Sequence, residues 1–198
     1  MTTIELDGIW CDVRSPDFPP HRPALFLDRD GTLIELVDYL STPDDIRLIG
    51  SAVEAVREAN ADGLAVVIVT NQSGIGRGYY DWTAFEAVQM RLYELLADVG
   101  AGIDAAYACP HPAPDAGGPP ESFYRKPAPG MLLRAGADLA LDLTQSRIAG
   151  DTSADLAAGK AAGLSAGLLV KTGYGDRDLT AALALTTDGF KVNWADWN

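Results

Sequence analysis

Two aspartates one residue apart, Asp28 and Asp30, close the short apolar run Ala24-Leu25-Phe26-Leu27 and stand directly before Gly31-Thr32-Leu33. The run reads as a buried strand. Because strand side chains alternate, Asp28 and Asp30 are expected on one side, roughly 6 to 7 Å apart at Cα, with Arg29 facing away. Two acids held that close repel each other. The crowding is relieved by a cation between them, by hydrogen bonds or by a shared proton, so the pattern suggests a divalent metal site or an acid/base pair.

Three further polar clusters follow apolar runs. Thr70-Asn71-Gln72-Ser73 opens a glycine-rich turn after Leu64–Val69, and Arg125-Lys126-Pro127 lies in a long loop after Ile103–Ala108. Gly150-Asp151-Thr152-Ser153-Ala154-Asp155 follows Arg147–Ala149. Hydroxyls, amides and cations are the groups that hold phosphate oxygens, and carboxylates are the groups that hold Mg²⁺.

The elements between these clusters alternate. Ser51 is expected to cap a helix running to about Asp62, with Val53, Val56 and Ala59 on one face and Gly63 as its stop. Asp81 should cap a second helix over 82–98, whose Phe85, Val88, Leu92 and Leu95, with Val99 just beyond, recur at helical spacing and belong to the core. Pro129 opens a helix to about Leu141, residues 153–162 form another, and 178–185 a last one. Strands are expected over 164–170 and 190–192. Alternation of this kind makes a parallel sheet with helices on both faces, and such sheets bind ligands beyond the carboxyl ends of their strands. All four clusters fall there.

Residues 1–23 hold Pro16, Pro19, Pro20 and Pro23, too many for a helix, and read as an extended arm with a short strand within 4–13. Residues 24–198 read as a single domain, long enough to bury a core unaided. A net charge of -13 disfavours nucleic acid and anionic membrane as partners but leaves room for a small anion held by local donors. No apolar run approaches membrane-span length, and Cys11 and Cys109 are too few for a disulfide framework. A cytoplasmic protein, favoured as a monomer and acting on a small phosphorylated metabolite, is the expectation.

Taken together and in this order, the four clusters resemble the haloacid dehalogenase superfamily, whose members transfer phosphoryl groups through an aspartyl-phosphate. The resemblance spans about residues 24 to 170. It implies an α/β fold, a three-layer, doubly wound, Rossmann-like parallel sheet with minimal or no cap, since only the segment Leu33 to Pro43 stands where a cap is inserted. It also implies Asp28 as nucleophile and Asp30 as acid and then base, with Thr70 and Lys126 as further catalytic groups. Asn71, Gln72, Ser73 and Arg125 would bind substrate. Mg²⁺ would sit on Asp28, Asp151 and the backbone carbonyl of Asp30. Asp155 is open to two readings, a group orienting a metal-bound water or an acid complementing the dipole of its helix.

Within that superfamily, Thr70 to Tyr79 and Arg125 to Met131 look like the branch of heptose bisphosphate and histidinol phosphatases. Members of that branch act on small phosphate esters and commonly carry a structural zinc in the long loop. Cys109 and His111 keep one half of that site, whereas Ser122 and Tyr124 stand where the other cysteines belong, so Mg²⁺ and not zinc is expected. Thr152 replaces a lysine common in the branch, and Leu36-Val37-Asp38-Tyr39 replaces its usual flap. A sugar phosphate of the heptose bisphosphate kind is therefore the first expectation for substrate, with histidinol phosphate or another small metabolite as the alternative. A phosphoacceptor signalling module would share the sheet and the Mg²⁺ but would need an aspartate after the third strand, where Ala108-Cys109 stands.

Overall fold

The computed structural model describes residues 2–4, 8–15 and 19–195. Residues 1, 5–7 and 16–18, which belong to the expected arm, lie outside the described residues. The strands are β1 (Thr2–Ile4), β2 (Trp10–Val13), β3 (Ala24–Leu27), β4 (Ala65–Asn71), β5 (Ala105–Cys109), β6 (Arg147–Gly150), β7 (Ala166–Val170) and β8 (Lys191–Ala195). The helices are α1 (Gly50–Ala61), α2 (Ser73–Gly76), α3 (Trp82–Asp98), α4 (Gly130–Asp138), α5 (Ser153–Ala161) and α6 (Gly175–Leu183).

All strands join one sheet in the order β1-β2-β5-β4-β3-β6-β7-β8. From β5 to β8 the pairing is parallel. The N-terminal strands were expected as part of an arm, and β2 pairs antiparallel with β5, Trp10 opposite Ala108. This edge is sealed by Trp10, which is buried edge-to-face on Phe85 with ring centroids 5.0 Å apart and donates from Nε1 to Glu86 at 2.8 Å.

β3 and β4 are buried over nearly every residue, as central strands covered on both faces must be. One core layer packs α1 and α3 against the sheet through Val53, Val56, Phe85, Val88 and Leu92. The opposite layer packs Met131, Leu132, Leu156 and Ala182 of α4, α5 and α6. The chain leaves β3 to build β4 and β5 on one side, then crosses to build β6, β7 and β8 on the other. That reversal opens a crevice beside the end of β3.

Several boundaries differ from expectation. α1 begins at Gly50 with Ile49 at its cap position and no side-chain cap, so Ser51 lies inside the first turn. The Ile49 N–H is instead taken by the Leu33 carbonyl, which ties the helix start to the segment after β3. α6 starts at Gly175, about a turn before the expected Asp178. Asp81 does cap α3, its carboxylate accepting from the Ala84 N–H at 2.9 Å. Residues 33–43 form no cap domain. Leu33, Ile34 and Leu40 are buried, while Leu36, Val37 and Tyr39 are exposed. Among the described residues no helix is long and apolar enough to cross a membrane.

Candidate active site

An open cleft of about 510 Å³ lies over the carboxyl ends of the central strands, lined by Asp28, Asp30, Thr70, Asn71, Gln72, Ser73, Arg125, Lys126 and Asp151. Every site residue expected from the sequence thus meets in one place. Each reaches it by the same route, a buried strand running out of apolar residues at the crevice, or a loop leaving the end of such a strand.

Lys126 stands at the centre. Its ammonium is buried and donates to Asp28 Oδ1 at 2.6 Å and to the Val69 carbonyl at 2.7 Å, and it forms an ion pair with Asp155 Oδ1 at 2.6 Å. Burial alone would lower its pKa, but Asp155 and Asp28 together push it up, so the ammonium keeps its charge. Its backbone is locked as well. The Asn71 side chain donates to the Lys126 carbonyl at 3.0 Å and accepts from the Lys126 N–H at 3.1 Å.

Asp28, Asp151 and Asp155 are all buried, with one carboxylate oxygen of each lying within 4.8 Å of the others. Burial first, and then Asp155, Asp151 and Asp30, hold the Asp28 carboxyl well above its ordinary range despite Lys126. Burial and Asp155 raise Asp151 to about 7. Ionised together, three carboxylates around one ammonium would carry an excess of two negative charges. A divalent, oxygen-seeking cation answers that excess, so the donor set fits Mg²⁺.

Asp155 is already engaged. Its second oxygen accepts from the Thr152 N–H at 3.0 Å and the Thr152 hydroxyl at 2.6 Å, closing a capping box at the start of α5. Asp151 is seated by two glycines. A Cβ at Gly31 would lie 2.4 Å, and one at Gly173 2.1 Å, from Asp151 Oδ2, the oxygen that also accepts from the Tyr174 N–H at 2.9 Å. Both glycines have positive φ, so neither position suits a side chain in conformation or in space.

Asp30 departs from the alternation expected of a strand. The strand ends at Leu27, and Arg29 turns inward, buried with its guanidinium over the Phe85 ring. It forks onto Asp30, Nε to Oδ2 and Nη2 to Oδ1, both at 3.1 Å. Gln72 completes the group. Its Nε2 donates to Asp30 Oδ2 and to Thr70 Oγ1, both at 2.8 Å, while its Oε1 accepts from Arg29 Nη2 at 3.0 Å and the Tyr80 hydroxyl at 2.6 Å. Burial raises the Tyr80 phenol to about 12, which keeps it a donor. Arg29 and Tyr80 carried no site role in the sequence reading.

Arg125 leaves the long loop half-buried, donating to the His111 carbonyl at 2.7 Å. The Ser122 hydroxyl meets His111 Nδ1 at 2.8 Å and the Arg125 N–H at 3.2 Å, with Cys109 Sγ at 3.9 Å. The Ser122 hydroxyl is thus a polar anchor of this loop. Across the cleft mouth, Tyr39 and Tyr79 meet edge-to-face at 4.6 Å, and Arg177 stacks 4.2 Å over Tyr174.

A parallel sheet whose strand ends gather a carboxylate cluster, a buried lysine and a threonine hydroxyl is suited to phosphoryl transfer. Similarity to known proteins is specific. A family described as "HAD-hyrolase-like", the abbreviation standing for haloacid dehalogenase, matches residues 123–190. A D-glycero-beta-D-manno-heptose-1,7-bisphosphate 7-phosphatase of Mesorhizobium japonicum is 49% identical over 168 residues, 82% of this chain and 76% of its own. A D-glycero-D-manno-heptose-1,7-bisphosphate 7-phosphatase of Thermosynechococcus vestitus is 42% identical over 80% of this chain and 83% of its own. The crystal structure of D,D-heptose 1,7-bisphosphate phosphatase from B. bronchiseptica, complexed with magnesium and phosphate, superposes with a TM-score of 0.76 at 31% identity, covering 88% of this chain and 93% of that one. The chain belongs to the haloacid dehalogenase superfamily, among its phosphatases, and is a phosphoric monoester hydrolase.

Proposed function

We propose that this phosphatase hydrolyses the 7-phosphate of a heptose 1,7-bisphosphate in two displacements at Asp28. The observation that carries the reading is the buried Lys126–Asp28 contact of 2.6 Å, which fixes one carboxylate oxygen at the floor of the cleft. The relatives' substrate supports the choice of sugar.

In the first displacement an Asp28 oxygen bonds to phosphorus while the ester P–O bond breaks and the leaving oxygen takes a proton from Asp30. In the second, water gives a proton to Asp30 as its oxygen bonds to phosphorus, and the Asp28 O–P bond breaks. Atoms and protons balance over the cycle, releasing alcohol and inorganic phosphate. Lys126 and the Thr70 hydroxyl supply fixed positive charge and a donor to the transferring group, a contribution that grows as water is excluded. Asn71 serves by holding the Lys126 backbone. Ser73 and Arg125, which both line the cleft, bind substrate. Asp28, Asp151 and the carbonyl of Asp30 would hold Mg²⁺, which when bound offsets the charge between nucleophile and phosphate.

A panel of phosphate esters assayed with Mg²⁺ tests the substrate. Heptose 1,7-bisphosphate is expected to give the highest kcat/KM, and a clear preference for histidinol phosphate would overturn the sugar assignment. Metal binding has its own signature. Adding Mg²⁺ should raise Tm, and by more at pH 8 than at pH 6. At pH 6 the metal-free protein carries a proton on Asp151, whose pKa stands at about 7, and the metal must displace it. Thermal melts with and without Mg²⁺ at the two pH values check this, and an equal shift at both would exclude Asp151 as a ligand.

A further inference from the structure

The expected substrate-binding role of Gln72 sits poorly with its surroundings. The side chain is buried at the back of the cleft, and both ends of its amide are spoken for by protein groups. Those neighbours also fix which end is which. Arg29 can only donate, so the atom facing it is Oε1, and the Asp30 carboxylate then meets Nε2.

Two consequences follow from that orientation. Thr70 Oγ1 accepts from Nε2, so its own O–H proton must point away from Gln72. Asp30 Oδ2 is occupied by Gln72 Nε2 and Arg29 Nε, whereas among the described residues Oδ1 takes a hydrogen bond from Arg29 Nη2 alone and has lone-pair capacity left. We propose that Gln72 is a positioning residue for the reaction: its amide, set by Arg29 and Tyr80, aims the Thr70 hydroxyl at the phosphoryl group and leaves Asp30 Oδ1 as the oxygen that exchanges a proton with the leaving group. The inference rests on the acid/base reading of Asp30.

General acid catalysis matters most where the leaving group is a poor one, which gives a readout that damage to packing does not imitate. An alkyl phosphate such as a sugar phosphate leaves as an alkoxide and needs the proton. Nitrophenyl phosphate leaves as a stable phenolate and needs it far less. Steady-state kcat and KM on both esters should be compared for Asp30→Asn, Gln72→Leu and Tyr80→Phe. Asp30→Asn is expected to lose more kcat on the alkyl ester than on the aryl ester, by a factor on the order of 10². Gln72→Leu should show the same discrimination at about tenfold, with Tyr80→Phe in the same direction and smaller, since it removes one donor to Oε1 and leaves the rest.

If Asp30→Asn discriminates and Gln72→Leu slows both esters equally, or raises KM alone, the positioning role is overturned and substrate binding returns. If Asp30→Asn itself fails to discriminate, the acid/base reading falls and this inference with it. Should Gln72→Leu not fold, Tyr80→Phe decides by the same comparison, because the phenol touches the network only at its far end.

Discussion

Asp28→Asn is expected to bring turnover down to background, a loss on the order of 10⁴-fold or more, with the fold intact. The carboxylate is the attacking group, and an amide at the same place cannot form the acyl phosphate. The fold should survive for an electrostatic reason. Burial and the acids around it hold the Asp28 carboxyl well above its ordinary range, so the charged form already costs the metal-free native state energy. A neutral amide of the same shape removes that cost and keeps an oxygen that can accept from Lys126, giving up only the charge pairing. The metal-free variant should therefore melt no lower than the parent, and thermal unfolding beside a turnover assay separates the two effects. A variant that is both inactive and unfolded would show Asp28 to be structural.

Lys126→Met has the second largest expected effect, and it reaches stability as well as rate. Removing the ammonium leaves Asp28 and Asp155 buried without their cation, and stranding one side of a buried pair costs about 3 to 5 kcal/mol. For a chain of this size that is a fall of roughly 10 °C in Tm. Turnover should drop by about 10² to 10³-fold or more, as it does when a preorganised donor is lost. The sign of the pH dependence is fixed by Asp28. Its raised pKa means it takes up a proton on acidification, and a protonated Asp28 no longer needs the cation. The loss of stability should be smaller at pH 5 than at pH 8, measured by thermal melts. A Tm unchanged at both would contradict the central place given to Lys126.

Much of the site was legible because its residues obey one rule. Asp28, Thr70 and Asp151 each follow a buried apolar run, and in a parallel sheet those runs end on the same side. Lys126 was recognisable from the resemblance of its Arg-Lys-Pro surroundings. What escaped depends on contacts far apart in sequence or on the point where a strand stops. Arg29 was expected to face outward by alternation, yet β3 ends two residues earlier and the turn brings the guanidinium onto Asp30. The amide of Gln72 could be placed only once Arg29, Tyr80 and Asp30 were in position. Asp155 was open between two roles; one oxygen caps α5, as the helix-terminal reading has it, and the other pairs with Lys126, a contact that neither reading contained.

The same limit explains the fold. Helices with a strong apolar stripe, such as α3, matched expectation in their bounds, because local spacing and a capping aspartate determine them, although Val99, expected in the core, is exposed past the helix end. The N-terminal edge did not, because the pairing of β2 with β5 joins residues nearly a hundred positions apart and no local pattern signals it. Gly173 was missed for a related reason. Its role appears only when Asp151 is seen to rest against it from another strand end.

Covalent catalysis by Asp28 is tested most directly by trapping. The protein is mixed with Mg²⁺ and a radiolabelled phosphate ester, quenched in acid within the first turnover, and the denatured chain is counted and mapped. An acid-stable label released by hydroxylamine, located at Asp28 and absent from Asp28→Asn, is the expected result. Turnover with no label on the chain, or label on another residue, would contradict it.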